Sequence, residues 1–349
     1  MSTSKSTSTS TSTDEHWRQD VTIDDIPPEG QRLLRDYAGL QQDEILAHIE
    51  NIREKGYAIA PYACISAIRF LGDRWPKLPY GPKFLSRLQS DSRSTFLDVG
   101  CGFGQELRFL VADHGVNPSQ LFGVDLEPGL IDVGYELFRD RGRGRGRSGT
   151  GDDTTSTTGA AMTMFGANIF DHDTNDDTKD DTKDDTKDDT KDDTKDDTKD
   201  DTTDSDKATA TANLNLNLNL TTLRGKVDMI QASHVLHMFD HAQQFSFAKR
   251  LIDISRPTPG SMIAGSQVGS RHPGSYTFDI DLAPTRSHYR HDERTMRDFW
   301  HNLGHETNSA WHVQCGEIPN NKAVEESRGT KFAQGDRAMM IIWFCATRL

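Results

Sequence analysis

FLDVGCGFGQ, residues 96–105, is a short apolar run that ends in an acid and then in three glycines at alternate positions. The apolar residues suit a strand buried on both faces of a sheet. Gly100, Gly102 and Gly104 let the chain turn sharply at the carboxyl end of that strand, where a backbone can approach a ligand closely. A dinucleotide fingerprint, GxGxxG, needs a further glycine at 105, where this chain has Gln105. The motif is therefore a strand, a glycine loop and the start of a helix, with a spacing of its own.

Working outward, the period of the apolar residues keeps alternating. Residues 103–113 predict a helix with Phe103, Leu107, Leu110 and Val111 on one face. LFGVD (121–125) predicts a second strand, and 127–141 a second helix through Leu130, Val133, Leu137 and Phe138. MTMFGAN (162–168), VDMIQAS (227–233) and SMIAGS (261–266) read as three more strands. Asp240 and Asp292 are placed to cap helices, and Gly304 is expected to stop the second of these. Strands near 310–315 and 337–347 close the chain. Alternating strands and helices imply an α/β fold with a mostly parallel sheet covered on both faces. Upstream, Ile45, Leu46, Ile49 and Ile52 mark a helix over 41–53, and residues 14–92 read as a helical accessory or lid region before a domain at 93–349.

The spacing GxGxG, preceded two residues earlier by Asp98, suits S-adenosylmethionine. That cofactor has no pyrophosphate but carries an ammonium and a sulfonium. Asp98 supplies negative charge nearby, and the Gly100 carbonyl can accept from the ammonium. Gly102, Gly104 and Gln105 complete the loop. Asp125, ending the second strand, can accept from both ribose hydroxyls, with Leu126 beside it. Asn168 can reach an adenine edge and Ile169 can cover the ring. Singly these are weak: an Asp at a strand end is often a helix cap, and an Asn often a turn residue. In this order on successive strands they reinforce one another over a nicotinamide enzyme or an unrelated α/β fold.

Several segments together resemble a known family. They are IREKGYAIAPYACISAIRFL (52–71), FLDVGCGFGQELRFLVAD (96–113), LFGVDLEPGLIDVGYELFRDR (121–141), LRGKVDMIQASHVLHMFD (223–240), PGSMIAGSQVGS (259–270) and YRHDERTMRDFW (289–300). The chain is similar to the fungal class I methyltransferases of secondary metabolism, meroterpenoid pathways especially. The resemblance implies a Rossmann-like fold with a seven-stranded sheet whose last strand is antiparallel. It also implies O-methylation of a small terpenoid intermediate, often giving a methyl ester from a carboxylic acid.

On the acceptor side, His234 and His237 follow the fourth strand, where catalytic groups of open α/β sheets gather. Arg290 and His291 precede a helix cap and could face the same cleft. The plainer reading has His237 ordering a loop and Arg290 pairing at the surface. Tyr62 and Arg69 could line a lid or simply pack. Whether a base is needed depends on the acceptor: a carboxylic acid is ionised at neutral pH, whereas a phenol is not. A protein methyltransferase and a non-catalytic regulator that binds the cofactor remain alternatives, and the sequence leaves room for a homodimer.

The formal charge of −14 is local in origin: residues 171–206 hold 18 Asp and 6 Lys, which leaves the rest nearly neutral. No basic face for nucleic acid stands out. Low-complexity segments at 1–13, 142–159 and 171–222, the last built on a KDDT repeat, lack the apolar residues to offset ordering and are expected to be disordered. Paired aspartates are oxygen ligands for calcium, but the repeat lacks the glycine turn and distal Glu of an EF-hand loop, and no metal site is expected. Four dispersed cysteines, no signal-peptide core and no apolar run long enough to span a bilayer point to a cytoplasmic protein.

Overall fold

The computed structural model describes residues 21–142, 161–171, 219–278, 286–319, 324, 333 and 335–349. The stretch 1–13 and most of both other low-complexity stretches lie outside the described residues.

Nine strands are described: β1 Phe96–Val99, β2 Leu121–Asp125, β3 Thr163–Gly166, β4 Met229–Gln231, β5 Met262–Ser270, β6 Gly274–Phe278, β7 Arg286–Arg290, β8 Trp311–Glu317 and β9 Met339–Arg348. Seven of them form one sheet in the order β3-β2-β1-β4-β5-β9-β8. β1 lies parallel to both β2 and β4, and β9 runs antiparallel to β5 and β8. This is the Rossmann-like, doubly wound sheet with one reversed strand. The order reverses at β1, so the crevice for a ligand opens beyond the carboxyl ends of β1 and β4.

Helices cover both faces. α1 (Pro28–Arg32), α2 (Ile45–Ile59), α3 (Ala63–Ser66), α4 (Gly81–Ser90), α5 (Gln105–Ala112) and α6 (Pro128–Leu137) contribute to one apolar core. α7 (Leu220–Leu223), α8 (His241–Ile254) and α9 (Glu293–Glu306) contribute to the other. The amino-terminal helices are not a detached unit. Trp75, fully buried, sits edge-on to Phe96 of β1 at 5.4 Å, and Phe84 of α4 packs on the same ring at 6.2 Å. Asp240 and Asp292 each close a capping box, with Gln243 and Thr295 as partners.

Two sequence expectations are corrected, and one pair of strands is new. Gly304 does not stop α9; the helix runs to Glu306 and turns at Asn308, whose φ is +47°. Glycine at 304 serves packing instead, because a Cβ there would lie 2.6 Å from the Ser309 carbonyl oxygen. The low-complexity stretch ends before 222: Asn219 caps α7, and Leu220 and Leu223 are buried in the core. The antiparallel hairpin of β6 and β7 was not anticipated. Its strands are rich in polar and aromatic residues and lack the apolar period of the main sheet.

Candidate active site

The glycine loop is shaped by three residues with left-handed φ: +75° at Gly100, +54° at Gly102 and +66° at Gly104. A Cβ at Gly100 would strike Val235 Cγ2 at 2.5 Å, and one at Gly104 would strike Met164 Sδ at 2.4 Å. At Gly102 a Cβ would meet nothing within 4 Å, so the middle of the loop faces open space. The loop is latched from both sides. Asp125 Oδ2 accepts from Gly102 N at 2.7 Å, while its Oδ1 accepts from Glu127 N at 3.0 Å. Below, the buried Arg108 guanidinium donates to the carbonyls of Phe103 (2.6 Å) and Gly104 (3.2 Å). A bidentate pair with Asp140, 2.8 Å at each contact, holds that guanidinium in place.

A line of polar side chains crosses from β1 to β5. Asp98, buried, accepts from Gln231 Nε2 at 3.4 Å. Tyr80 donates at 3.2 Å to Gln231 Oε1 and lies 3.2 Å from Ser233 Oγ. Ser266 Oγ is 3.5 Å from Ser233 Oγ. Arg74 Nη2 donates to Ser266 Oγ at 2.9 Å and to His234 Nε2 at 2.8 Å. Burial lifts the Asp98 carboxyl well above the usual carboxylate range, helped by the neighbouring Glu106. Burial also raises Glu106 to about 7, against the pull of Arg74, and its Oε2 has no hydrogen-bond partner.

These features fit S-adenosylmethionine: an open loop centre, a strand-end carboxylate with remaining lone pairs, and an acidic end with an orphaned buried oxygen. Asp125 would hold the ribose and the Asp98 end the ammonium. The acidic end also has a pH consequence. An arriving cation favours the ionised forms of Glu106 and Asp98, so binding should release protons and affinity should rise with pH through about 7. Arg74 and Asp73 are the charged groups that also act on Glu106, the first opposing and the second adding to its upward shift. Calorimetry at pH 6.5 in buffers of different ionisation enthalpy should show up to about one proton released. Zero release would contradict a cation seated at this end.

The remaining sequence-predicted residues are distributed unevenly. Leu126 is 60% exposed at the carboxyl end of β2. Asn168 forms a turn, accepting from Phe170 N at 3.1 Å and donating to Asp171 at 2.9 Å. Ile169 is buried in the second core and presents little surface to a ligand. Gln105 begins α5, and its Oε1 is buried without a partner. His234 adopts φ +58°, uncommon for a residue other than glycine, and its ring stands 6.0 Å from that of His237. The His234 ring is open to solvent at its surface but sits deep among neighbouring atoms. That crowding, then Arg74, holds it neutral, well below the usual histidine range. Burial lowers His237 to about 3.

Arg290 and His291 do not open onto the cleft. Arg290 is 2% exposed, donates to Asp336 at 2.8 Å and stacks 4.3 Å over Tyr276. His291 is fully buried against Gln244, at 3.0 Å, and lowered to about 3 by burial. Tyr62 is 41% exposed and Arg69 is also exposed beside the cleft. Arg74, Tyr80, Glu106, Arg108 and Gln231 were missed by sequence reasoning. One signal was available for Arg108: it interrupts the apolar run Leu107–Ala112 of α5 between Leu107 and Phe109. Among the described residues, no cluster of three or more His, Cys, Asp or Glu is placed to hold a metal ion, and no helix is long and apolar enough to cross a membrane.

Residues 17–71 match the meroterpenoid methyltransferase N-terminal domain. O-methyltransferase phiE, from a fungal strain, is 29% identical over 297 residues, covering 85% of this chain and 78% of its own. The asnovolin E/chermesin D methyltransferase nvfJ of Aspergillus novofumigatus is 26% identical over 310 residues, covering 89% of this chain and 88% of its own. Magnesium protoporphyrin IX methyltransferase from Synechocystis, solved with bound SAH, superposes with a TM-score of 0.41 at 12% identity, covering 85% of this chain and 98% of that one.

Proposed function

We propose that this chain, an S-adenosylmethionine-dependent O-methyltransferase similar to those of fungal secondary metabolism, methylates a small carboxylic acid and so makes a methyl ester. The observation that carries the reading is the state of the two histidines beyond β4. Arginine can only donate, so the short contact from Arg74 occupies the lone pair of His234 Nε2. His237, lowered to about 3, is a poor base. Neither is suited to deprotonate a phenol with a pKa of about 10. A carboxylic acid, with a pKa of about 4, arrives already ionised and needs only to be positioned.

The cleft also suits an apolar acceptor. Ile59 and Tyr62 at the end of α2, Leu126 after β2 and Met238 after β4 are each between 38% and 60% exposed. They account for four of the five exposed large hydrophobic side chains among the described residues, and large apolar side chains gathered at a cleft mark a binding surface. A terpenoid body with one carboxylate matches that lining. In this reading Asp125 takes the ribose, Asn168 the adenine edge, and the described helical residues 21–92 the roof of the cleft. Arg290 and His291 brace the β6–β7 hairpin and do not touch the reacting atoms. Bound cofactor supplies a methyl group already activated by positive sulfur. The chain's residues bring the acceptor oxygen into line with it and exclude water.

The test uses cofactor tritiated in its methyl group and the organic-acid fraction of a fungal extract. Mild alkali then releases volatile methanol from a methyl ester but leaves methyl ethers intact. Most of the transferred label should become volatile. Label that resists alkali would contradict ester formation, and label on protein would favour a protein acceptor.

A further inference from the structure

We propose that Arg74 grips the amino-acid carboxylate of S-adenosylmethionine, so that a residue from the amino-terminal region completes the cofactor site. The inference rests on the cofactor assignment and goes beyond it to a residue outside the glycine loop.

Direction comes first. With the ribose on Asp125 at the end of β2, the amino-acid end of the cofactor extends across β1 toward β4, about two strand spacings or roughly 10 Å away. There it meets Asp98, Gln231 and Ser233. The end to be held is a zwitterion. Asp98 and Glu106 suit its ammonium, but they would repel its carboxylate unless a cation stood beside them. Arg74 stands there: its charge acts on Asp98, Glu106, Tyr80 and His234 alike.

Arg74 is also held ready. Asp73 accepts from Trp75 N at 3.0 Å and from His114 Nε2 at 2.9 Å, which fixes the backbone on either side of Arg74. Trp75 Nε1 donates to the Glu106 carbonyl at 3.2 Å, tying this segment to the first turn of the helix that leaves the glycine loop. At its tip, one guanidinium nitrogen is pinned by Ser266 and His234. A guanidinium has five donors in a planar fork, so the others remain available for a carboxylate. His234 is thus a positioning residue. Its left-handed backbone places the imidazole where it can receive Arg74, and its neutrality spares Arg74 a charge conflict.

The test compares three ligands by calorimetry: S-adenosylmethionine, decarboxylated S-adenosylmethionine, and 5′-methylthioadenosine, which lacks the whole amino-acid end. The wild-type chain should bind the first at least about 20-fold tighter than the second, as expected for loss of a charge-assisted pair. Arg74→Gln should abolish that preference by weakening S-adenosylmethionine alone, and Arg74→Lys should restore part of it. 5′-Methylthioadenosine should bind wild type and Arg74→Gln equally, which shows an intact fold. Equal binding of the first two ligands by the wild type overturns the inference without recourse to any variant. So does an Arg74→Gln chain that keeps its cofactor affinity but loses affinity for an acidic acceptor, because the carboxylate gripped would then be the acceptor's. Failure to bind any of the three would instead refute the cofactor assignment beneath it.

Discussion

Replacing Asp125 with alanine should weaken S-adenosylmethionine binding by about 100-fold. Two ribose hydroxyls would lose a shared anionic acceptor, and hydrogen bonds to charged groups are worth about 1.5–3 kcal/mol each. A net loss of about 3 kcal/mol, near the lower end of that sum, corresponds to that fold-change. The structure adds a second source of loss. The same carboxylate accepts from Gly102 N and Glu127 N, so alanine also frees the glycine loop to move. Asp125→Asn separates the two effects, since an amide keeps one acceptor but turns an NH2 toward a backbone N–H or a hydroxyl. It should fall between wild type and alanine. Calorimetric titration decides the matter, and equal dissociation constants for wild type and Asp125→Ala would remove Asp125 from the site.

Gly102→Val should abolish methyl transfer and leave the protein folded. Valine at φ +54° carries a left-handed penalty of about 1–2 kcal/mol. For a domain of this size that lowers the melting temperature by about 3–6 °C. Apart from its chain neighbours, no atom of the described residues lies within 4 Å of the added Cβ, so the side chain points into the space assigned to the cofactor. Gly134→Val is the contrasting variant. Its Cβ would lie 2.2 Å from the Phe103 carbonyl oxygen, where α6 crosses the loop, so it should unfold or fail to accumulate. Turnover retained at normal cofactor affinity in Gly102→Val would show that the loop is not the cofactor site.

The fold was legible because its signals are local. The apolar runs at 96–99, 121–125 and 262–266 are strands that a parallel sheet buries on both faces, and the Asp240 and Asp292 caps lie three residues before their partners. The turn of the glycine loop and the place of Asp125 at a strand end were legible for the same reason, because each follows from its immediate neighbours in the chain. Arg74, Tyr80 and Gln231 were not, because their meaning comes from contacts 133 to 192 residues apart in sequence. Arg290 and His291 misled in the opposite direction. Charged and aromatic residues before a helix cap look like cleft residues, but Arg290 ends a hairpin strand without apolar alternation, and both side chains are buried, Arg290 against Asp336 and His291 against Gln244.

The central claim is that the loop at the carboxyl end of β1 and the carboxylate at the end of β2 form one S-adenosylmethionine site. A calorimetric titration of the purified full chain with that cofactor alone, beside Asp125→Ala and Gly102→Val at the same pH and salt, tests it most directly. The account predicts one site per chain in the wild type, binding weakened about 100-fold in the first variant and lost in the second. Absence of binding by the wild type, or binding that both variants retain unchanged, would contradict it.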